Sequence, residues 1–495
     1  MYNYIVPFIK ISYTKSKQRG ERVMKKKLDF RGGSFMALIP FLIFISVTIT
    51  LSFINAADLN MMIGAGVVGI LVGMLFAKNI EDYWDVILQG LGSKVGVTAV
   101  MLWLVIGIYG NILKSGHIVE GLVWLSVKLK MSGATFTLAA FVFSALFAIA
   151  TGSGFGTIST MSFILYPAGI LLGSSPAILA GAILSGAAVG DNLAPVSDTA
   201  IIAATTQEYQ YKDGVAEIGP TVKLRFPVVI LGFIIAAIMF FVLGSSGQGA
   251  IDPGEAAKLL SQYQIPKGLF LLIPTIIVIL LSVNGKNIFA CLSVGIVVAI
   301  AIGLVFGLFD LSALISIKDG VISGAIPDGV GGMLNVSILL LIVVSMGELL
   351  VASGCMDAVV DWLTNSVIKT PRGSEIAIFS LVTIFGILIA AINTIANICV
   401  APFVNAIGKK SDLHPYRRAN ILATTICSFP FFLPYGGCVL LLLGGLSSMK
   451  GTYGFLPDLK ATDMIFTAFY PWVIWVLTLI LCITGKGRIF EEKEK

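Results

Sequence analysis

The chain has 495 residues, of which 57% are hydrophobic and 12% charged, with mean hydropathy +0.96. Soluble domains carry about a quarter charged residues, so this balance excludes an ordinary soluble fold and marks an integral membrane protein. A net charge of +6 with no soluble basic domain excludes a nucleic-acid binder and instead suits basic cytoplasmic loops.

The first stretch carries Lys10, Lys15, Lys17, Arg19, Arg22, Lys25, Lys26, Lys27 and Arg31 against Glu21 and Asp29, which predicts a cytoplasmic amino terminus over 1–34. Translation could equally start at Met24 as at Met1. The first apolar run, 35–57, reads as a transmembrane helix, being too long for a signal-peptide core. Further uncharged windows at 59–77, 95–113, 226–251, 268–285, 287–309, 329–347 and 464–485 each match the ~20 residues that cross ~30 Å of hydrocarbon. The runs 131–190, 376–408 and 419–449 exceed one crossing and must hold further spans or re-entrant pieces. None alternates in polarity as barrel strands do, so the expected fold is an all-α polytopic membrane protein with eleven to thirteen transmembrane segments. The six cysteines lack C-x-x-C spacing and read as small core residues.

The chain repeats itself. "SGHIVEGLVWL" at 115–125 aligns with "SGCMDAVVDWL" at 353–363, an offset of 353 − 115 = 238. "NIEDYWDVI" at 79–87 answers "SIKDGVIS" at 316–323 at nearly that offset, and an offset of 243 takes Thr151 to Thr394 and Asp191 to Pro434. The expected organisation is a first repeat over 58–210, a linker with connecting helices over 211–286, a second repeat over 287–448, and a last helix with a tail over 449–495. An odd number of crossings per half would invert one repeat against the other. Paired Gly/Pro interruptions in corresponding apolar segments point to the substrate site of such transporters.

The interruptions contain the chemistry. Between Lys130 and Asp191 lie 60 uncharged residues, and then "GDNLAPVSDT" at 190–199 supplies two carboxylates around Pro195. A buried carboxylate costs ~2.5–3.5 kcal/mol on insertion scales, so a pair placed here without a use is unexpected. Asp191, Asn192, Ser197, Asp198 and Thr199 offer the hard oxygen ligands that Na⁺ prefers. Asp198 also reads as the N-cap of the next half-helix. In the second half Asn393, Thr394 and Asn397 are neutral oxygen donors, and Ser428 and Tyr435 beside Gly436 and Gly437 form the uncharged counterpart of the aspartate cluster. Arg417 and Arg418 close a basic loop and read as topology determinants first, anion contacts second. "TGSGFGT" at 151–157 lacks the ending of a phosphate loop, and no catalytic constellation or ATPase segment is seen, so the expectation is a non-enzymatic carrier without cofactor, driven by an ion gradient.

"GDNLAPVSDT" is similar to the G-D-x-x-S-P-x-S-D-T signature of NhaC-type sodium/proton antiporters, and "TGSGFGT" resembles that family's T-G-T-S-W-G-T. The resemblance covers roughly residues 35–485 and implies two inverted repeats with an ion site lined by Asp191, Ser197, Asp198 and Thr199 with Thr151, Ser153 and Thr157. It implies Na⁺ and H⁺ as transported ions and a bacterial cytoplasmic membrane, and a homodimer is compatible with it. Ala194 departs from the motif's first serine, and no acidic pair follows Arg417. Relatives of this fold also carry organic acids or amino acids, so a Na⁺- or H⁺-coupled carrier of such a solute is the rival expectation; a channel is a third.

Overall fold

The computed structural model describes residues 28–53, 59–194, 197–245, 265–283, 286–318, 321–355, 370–390 and 393–492. The basic segment up to Lys27, the Met24 start, Pro195 and most of "SGCMDAVVDWL" lie outside the described residues.

Helices account for nearly all regular structure. In chain order they are α1 (Ile39–Phe53), α2 (Leu59–Met74), α3 (Ile80–Leu91), α4 (Lys94–Ser115), α5 (Ile118–Lys128), α6 (Gly133–Thr151), α7 (Gly154–Leu171), α8 (Pro176–Leu193), α9 (Asp198–Thr205), α10 (Ile218–Leu243), α11 (Leu272–Val283) and α12 (Ile288–Val305). After a small antiparallel hairpin, β1 (Ser316–Lys318) with β2 (Val321–Ser323), come α13 (Ala325–Ala352), α14 (Pro371–Leu388), α15 (Asn393–Lys409), α16 (Pro415–Ile426), α17 (Gly437–Met449) and α18 (Phe469–Thr484). The molecule is an all-α polytopic membrane protein.

Five described stretches are long and apolar enough to cross a bilayer, counting α8 with α9 as one, and residues 80–115, bent by 42°, add a sixth if they form one span. Seven shorter apolar helices of 10–17 residues fill the remaining windows. Half-length helices and breaks thus stand beside the unbroken runs, as the over-long apolar stretches led one to expect.

The interruptions recur at a fixed spacing. The pair α6/α7 breaks at Gly152–Ser153 and the pair α14/α15 after Leu388; α6 and α14 begin 371 − 133 = 238 residues apart, α7 and α15 393 − 154 = 239 apart. The pairs α8/α9 and α16/α17 do the same, with α9 and α17 starting 437 − 198 = 239 apart. The second-half counterpart of the Asp191 region is thus nearer Pro430 than Pro434. One expected match takes two different conformations: 80–87 lies in α3, whereas 316–318 and 321–323 are the paired strands β1 and β2.

Burial sorts the helices. In α7, 94% of the spanning window is buried, and α8 is nearly as enclosed, while in α10 only 22% is buried and one face is apolar and exposed. Small residues allow the central packing. A side-chain carbon on Gly190 would collide with Ala148, and one on Gly186 would meet Ser144 and the Phe141 carbonyl at 2.5 and 2.6 Å, which lets α8 lie directly on α6. Around this centre α1, α2, α3, α4 and α13 pack against one another, with α4 and α13 joining them to α7 and α17.

Candidate functional site

Each break exposes backbone groups that hydrocarbon cannot satisfy. At the first, Gly152 takes a left-handed conformation (φ 65°), which a glycine adopts without the strain a side chain brings, and it ends α6. Ser153 then caps α7, its Oγ accepting from the Gly156 N–H at 3.0 Å. The Gly154 N–H, a free donor of the first turn of α7, donates to Asp191 Oδ1 at 3.2 Å. A side-chain carbon on Gly154 would stand 3.0 Å from Asp191 Oδ2 and 3.1 Å from the Phe431 ring, so close approach requires glycine there.

Asp191, 7% exposed in the last turn of α8, also accepts from Asn393 Nδ2 through Oδ2 at 3.1 Å. Asn393 is the first residue of α15, so the carboxylate lies between the N-termini of one half-helix from each half of the chain. Both helix dipoles favour negative charge there, each by ~0.3–1 kcal/mol or more when enclosed. One turn further, Asn397 Nδ2 donates to the Thr199 carbonyl at 3.2 Å, tying α15 to α9. The fourth break is joined as well: the Gly437 N–H at the start of α17 donates to the Ala390 carbonyl at 3.2 Å, and Tyr435 donates its hydroxyl to the Ile387 carbonyl at 2.7 Å, satisfying carbonyls freed at the end of α14.

Around Asp191 the amides donate their nitrogens and leave their oxygens unpartnered. Asn192 Nδ2 is spent on the Ala188 carbonyl at 3.0 Å, and Asn192, Asn393 and Asn397 each keep a buried Oδ1 without a hydrogen-bond partner. A buried carbonyl oxygen left unpaired costs ~1–3 kcal/mol, so these three, one of them on the Asn393 side chain that bonds Asp191, are candidate hard ligands for a cation.

The other expected residues divide. Thr199 is buried and contributes its carbonyl, as above; Thr394 is half-buried in the first turn of α15. Thr157 bonds back to the Ser153 carbonyl at 2.8 Å and Ser428 to the Thr424 carbonyl at 3.2 Å, so both hydroxyl protons are used within their own helix stretch. The Thr151 side chain lies outside the described residues. Asp198 is not the N-cap of α9: Ser197 holds that position and Asp198 is the first helical residue, exposed while its neighbours Ser197 and Thr199 are buried.

Arg417 and Arg418 are structural. Arg417 Nε donates to Glu375 Oε1 at 2.7 Å and its Nη2 to the Leu481 carbonyl at 3.0 Å; Arg488 completes the pair through Glu375 Oε2 at 2.8 Å. Arg418 Nη1 donates to the Asn405 carbonyl and Oδ1, and Nη2 to the Glu208 carbonyl. At this loop the Lys409 ammonium, hydrogen-bonded to Glu208 at 2.9 Å, holds that carboxyl below the usual range.

Sequence reading passed over Arg225. It precedes the uncharged run from Phe226 and looks like a loop charge, yet it lies on the buried stripe of α10 with Thr221, Val222, Val229, Gly232 and Ala236. The three- and four-residue spacing of that stripe is the signal that places it inside.

Apolar helices interrupted in register in both halves, with a buried carboxylate where the interruptions meet, define a multi-pass membrane protein of the secondary-transporter class. The chain belongs to the Na⁺/H⁺ antiporter family, whose description matches residues 32–244 and again 212–452. It is 24% identical to the malate-2H⁺/Na⁺-lactate antiporter of Bacillus subtilis over 71% of this chain and 74% of that one. It is likewise 24% identical to the Na⁺/H⁺ antiporter NhaC of Alkalihalophilus pseudofirmus over 63% of this chain and 68% of that one. Similarity to the arginine/ornithine antiporter ArcD of Halobacterium salinarum is 26% over 48% of this chain and 49% of that one.

Proposed function

We propose that the chain exchanges Na⁺ for protons at Asp191. The observation that carries this reading is the buried carboxylate bonded to Asn393, with unpartnered amide oxygens on Asn192, Asn393 and Asn397 in the adjoining turns of α8 and α15. Ionised, Asp191 supplies the anionic ligand of a sodium ion, and the amide oxygens with backbone carbonyls freed at the breaks complete its shell. Protonated, it keeps one acceptor oxygen for the Asn393 amide and needs no cation. Proton and sodium compete for one group, so each can be released only as the other arrives, and a gradient of either drives the other. Glycine at 152 and the broken pairs give the half-helices separate pieces that can open the site to one side and then the other. The basic amino-terminal segment favours a cytoplasmic amino terminus in a bacterial cytoplasmic membrane.

The test is a proteoliposome experiment that follows sodium uptake and internal pH together, for the wild-type chain and Asp191→Asn. The reading requires sodium entry matched by proton exit in the first and neither in the second. Sodium movement without a proton flux would overturn it.

A second reading, in which sodium is coupled to an organic anion, is favoured by the relative named for malate and lactate and by the buried, unpartnered guanidinium of Arg225.

A further inference from the structure

Arg225 sits on α10, the helix with the most exposed apolar face, where Leu224, Phe226, Leu231 and Ile234 point outward. The guanidinium points the other way. It is 2% exposed, and Nε, Nη1 and Nη2 are all buried without a hydrogen-bond partner. A guanidinium carries five donors and does not give up its proton. Sealing one away with nothing to accept from it costs several kcal/mol. Arg417 and Arg418, equally buried, are both bonded to carboxylate or carbonyl oxygens. Arg225 alone among these three lacks an acceptor, so an acceptor is to be sought outside the chain.

Its surroundings are polar on one side. The Tyr470 hydroxyl, at the start of α18, is also buried without a hydrogen-bond partner. Cys427, the residue after α16, and Tyr470 both lie within electrostatic reach of Arg225 on one side and Asp191 on the other. The two charges therefore share Tyr470 and Cys427 as polar neighbours. Among the described residues no second buried basic side chain is seen to join Arg225 here, which suits a singly charged planar group rather than a phosphate dianion. A guanidinium fork binds such a carboxylate through two parallel N–H···O bonds.

We propose that Arg225 and Tyr470 form the carboxylate subsite for an organic anion carried through the same cavity as the sodium ion of Asp191. The proposal rests on the reading of Asp191 as the sodium site only for where the pathway runs. The subsite is closed in this conformation, and the anion enters as α9 and α16, which both pack on α10, part from it.

The experiment uses the purified full chain in detergent with L-lactate, malate and L-arginine as probes, and chloride and phosphate as inorganic controls. Binding is read by calorimetry for the wild type, Arg225→Gln, Arg225→Lys and Tyr470→Phe, and sodium binding is read separately with radiolabelled Na⁺. At least one organic probe should bind the wild type. Its affinity should fall by about tenfold or more in Arg225→Gln, as loss of a charge-assisted bidentate contact implies, and by a smaller factor in Arg225→Lys and Tyr470→Phe. Sodium binding without the organic probe should stay near the wild-type value in all three. The proposal is overturned if no organic probe binds the wild type, if only chloride or phosphate does, or if Arg225→Lys and Tyr470→Phe, the two mild variants, bind the probe as the wild type does. It is also overturned if sodium binding falls together with anion binding, because Arg225 then shapes the sodium site. Asp191→Asn separates the two readings: intact sodium binding in that variant removes the Asp191 site and leaves the carboxylate result to stand by itself.

Discussion

Asn393 donates its amide to Asp191 at 3.1 Å across 202 residues of sequence, joining the first turn of α15 to the last turn of α8. The contact unites the two halves of the chain at the one deeply buried carboxylate in the breaks. Replacing Asn393 by alanine removes both the donor and one unpartnered oxygen. Apparent sodium affinity should fall by about tenfold, the scale of one lost ligand or charged hydrogen bond, with the protein still folded. Sodium-dependent fluorescence quenching on the purified variant reads this, and an unchanged affinity would remove Asn393 from the site.

The two aspartates should separate. Asp191→Asn should abolish sodium-linked transport, since a neutral amide neither binds the exchanged proton nor supplies the anionic ligand. Asp198→Asn should keep most of the transport, because Asp198 is exposed at the first position of α9. Equal and complete loss in both would show that Asp198 is a ligand too.

Gly154→Ala tests the closeness of α7 to the carboxylate. The added carbon would stand 3.0 Å from Asp191 Oδ2, so helix and carboxylate must move apart by a few tenths of an ångström. Transport should drop severalfold while the melting temperature changes little; a variant with full transport would show that the gap between them is not critical.

These residues also show what the sequence could disclose. Asp191 stood out because a charge ending 60 uncharged residues has no packing excuse, and Asn393 and Asn397 because amides in an apolar run need partners. Their mutual contact was not visible, since which nitrogen meets which oxygen depends on the angle between half-helices. Ser153, Thr157 and Ser428 also cap or bond back within their own segments, a local use of the hydroxyls that composition cannot reveal. Arg225 was hidden for the opposite reason: a charge at the edge of an apolar window reads as a loop residue until the buried stripe of its helix is known. The hairpin at 316–323 shows the limit of the repeat, where matched residues adopted strand in one half and helix in the other.

Two charged clusters outside the site carry stability rather than transport. Glu375 is fully buried between Arg417 and Arg488, and Glu375→Gln would leave two guanidiniums short of their anion, destabilising the protein by about 3 kcal/mol or more. Thermal unfolding in detergent checks this, with a change under about 1 kcal/mol as the contrary result.

Glu208 gives a pH prediction. Its carboxyl is held below the usual range by the Lys409 hydrogen bond, so the stabilisation is present above the ordinary carboxylate range and is lost as pH falls through the lowered value. The pair is half exposed, so the effect should be only ~0.2–1 kcal/mol. The melting temperatures of wild type and Glu208→Gln should therefore differ slightly at pH 7 and converge in strong acid; a gap that widened on acidification would contradict the assignment.

The central claim is that one carboxylate, Asp191, is shared between proton and sodium. The apparent Na⁺ dissociation constant of the purified chain, measured from pH 5 to pH 9 without organic solutes, tests it most directly. On the acid side the constant should rise by about tenfold per pH unit, as competition for a single group requires, and it should level off in alkali. A constant that stayed flat across the whole range would contradict the shared site.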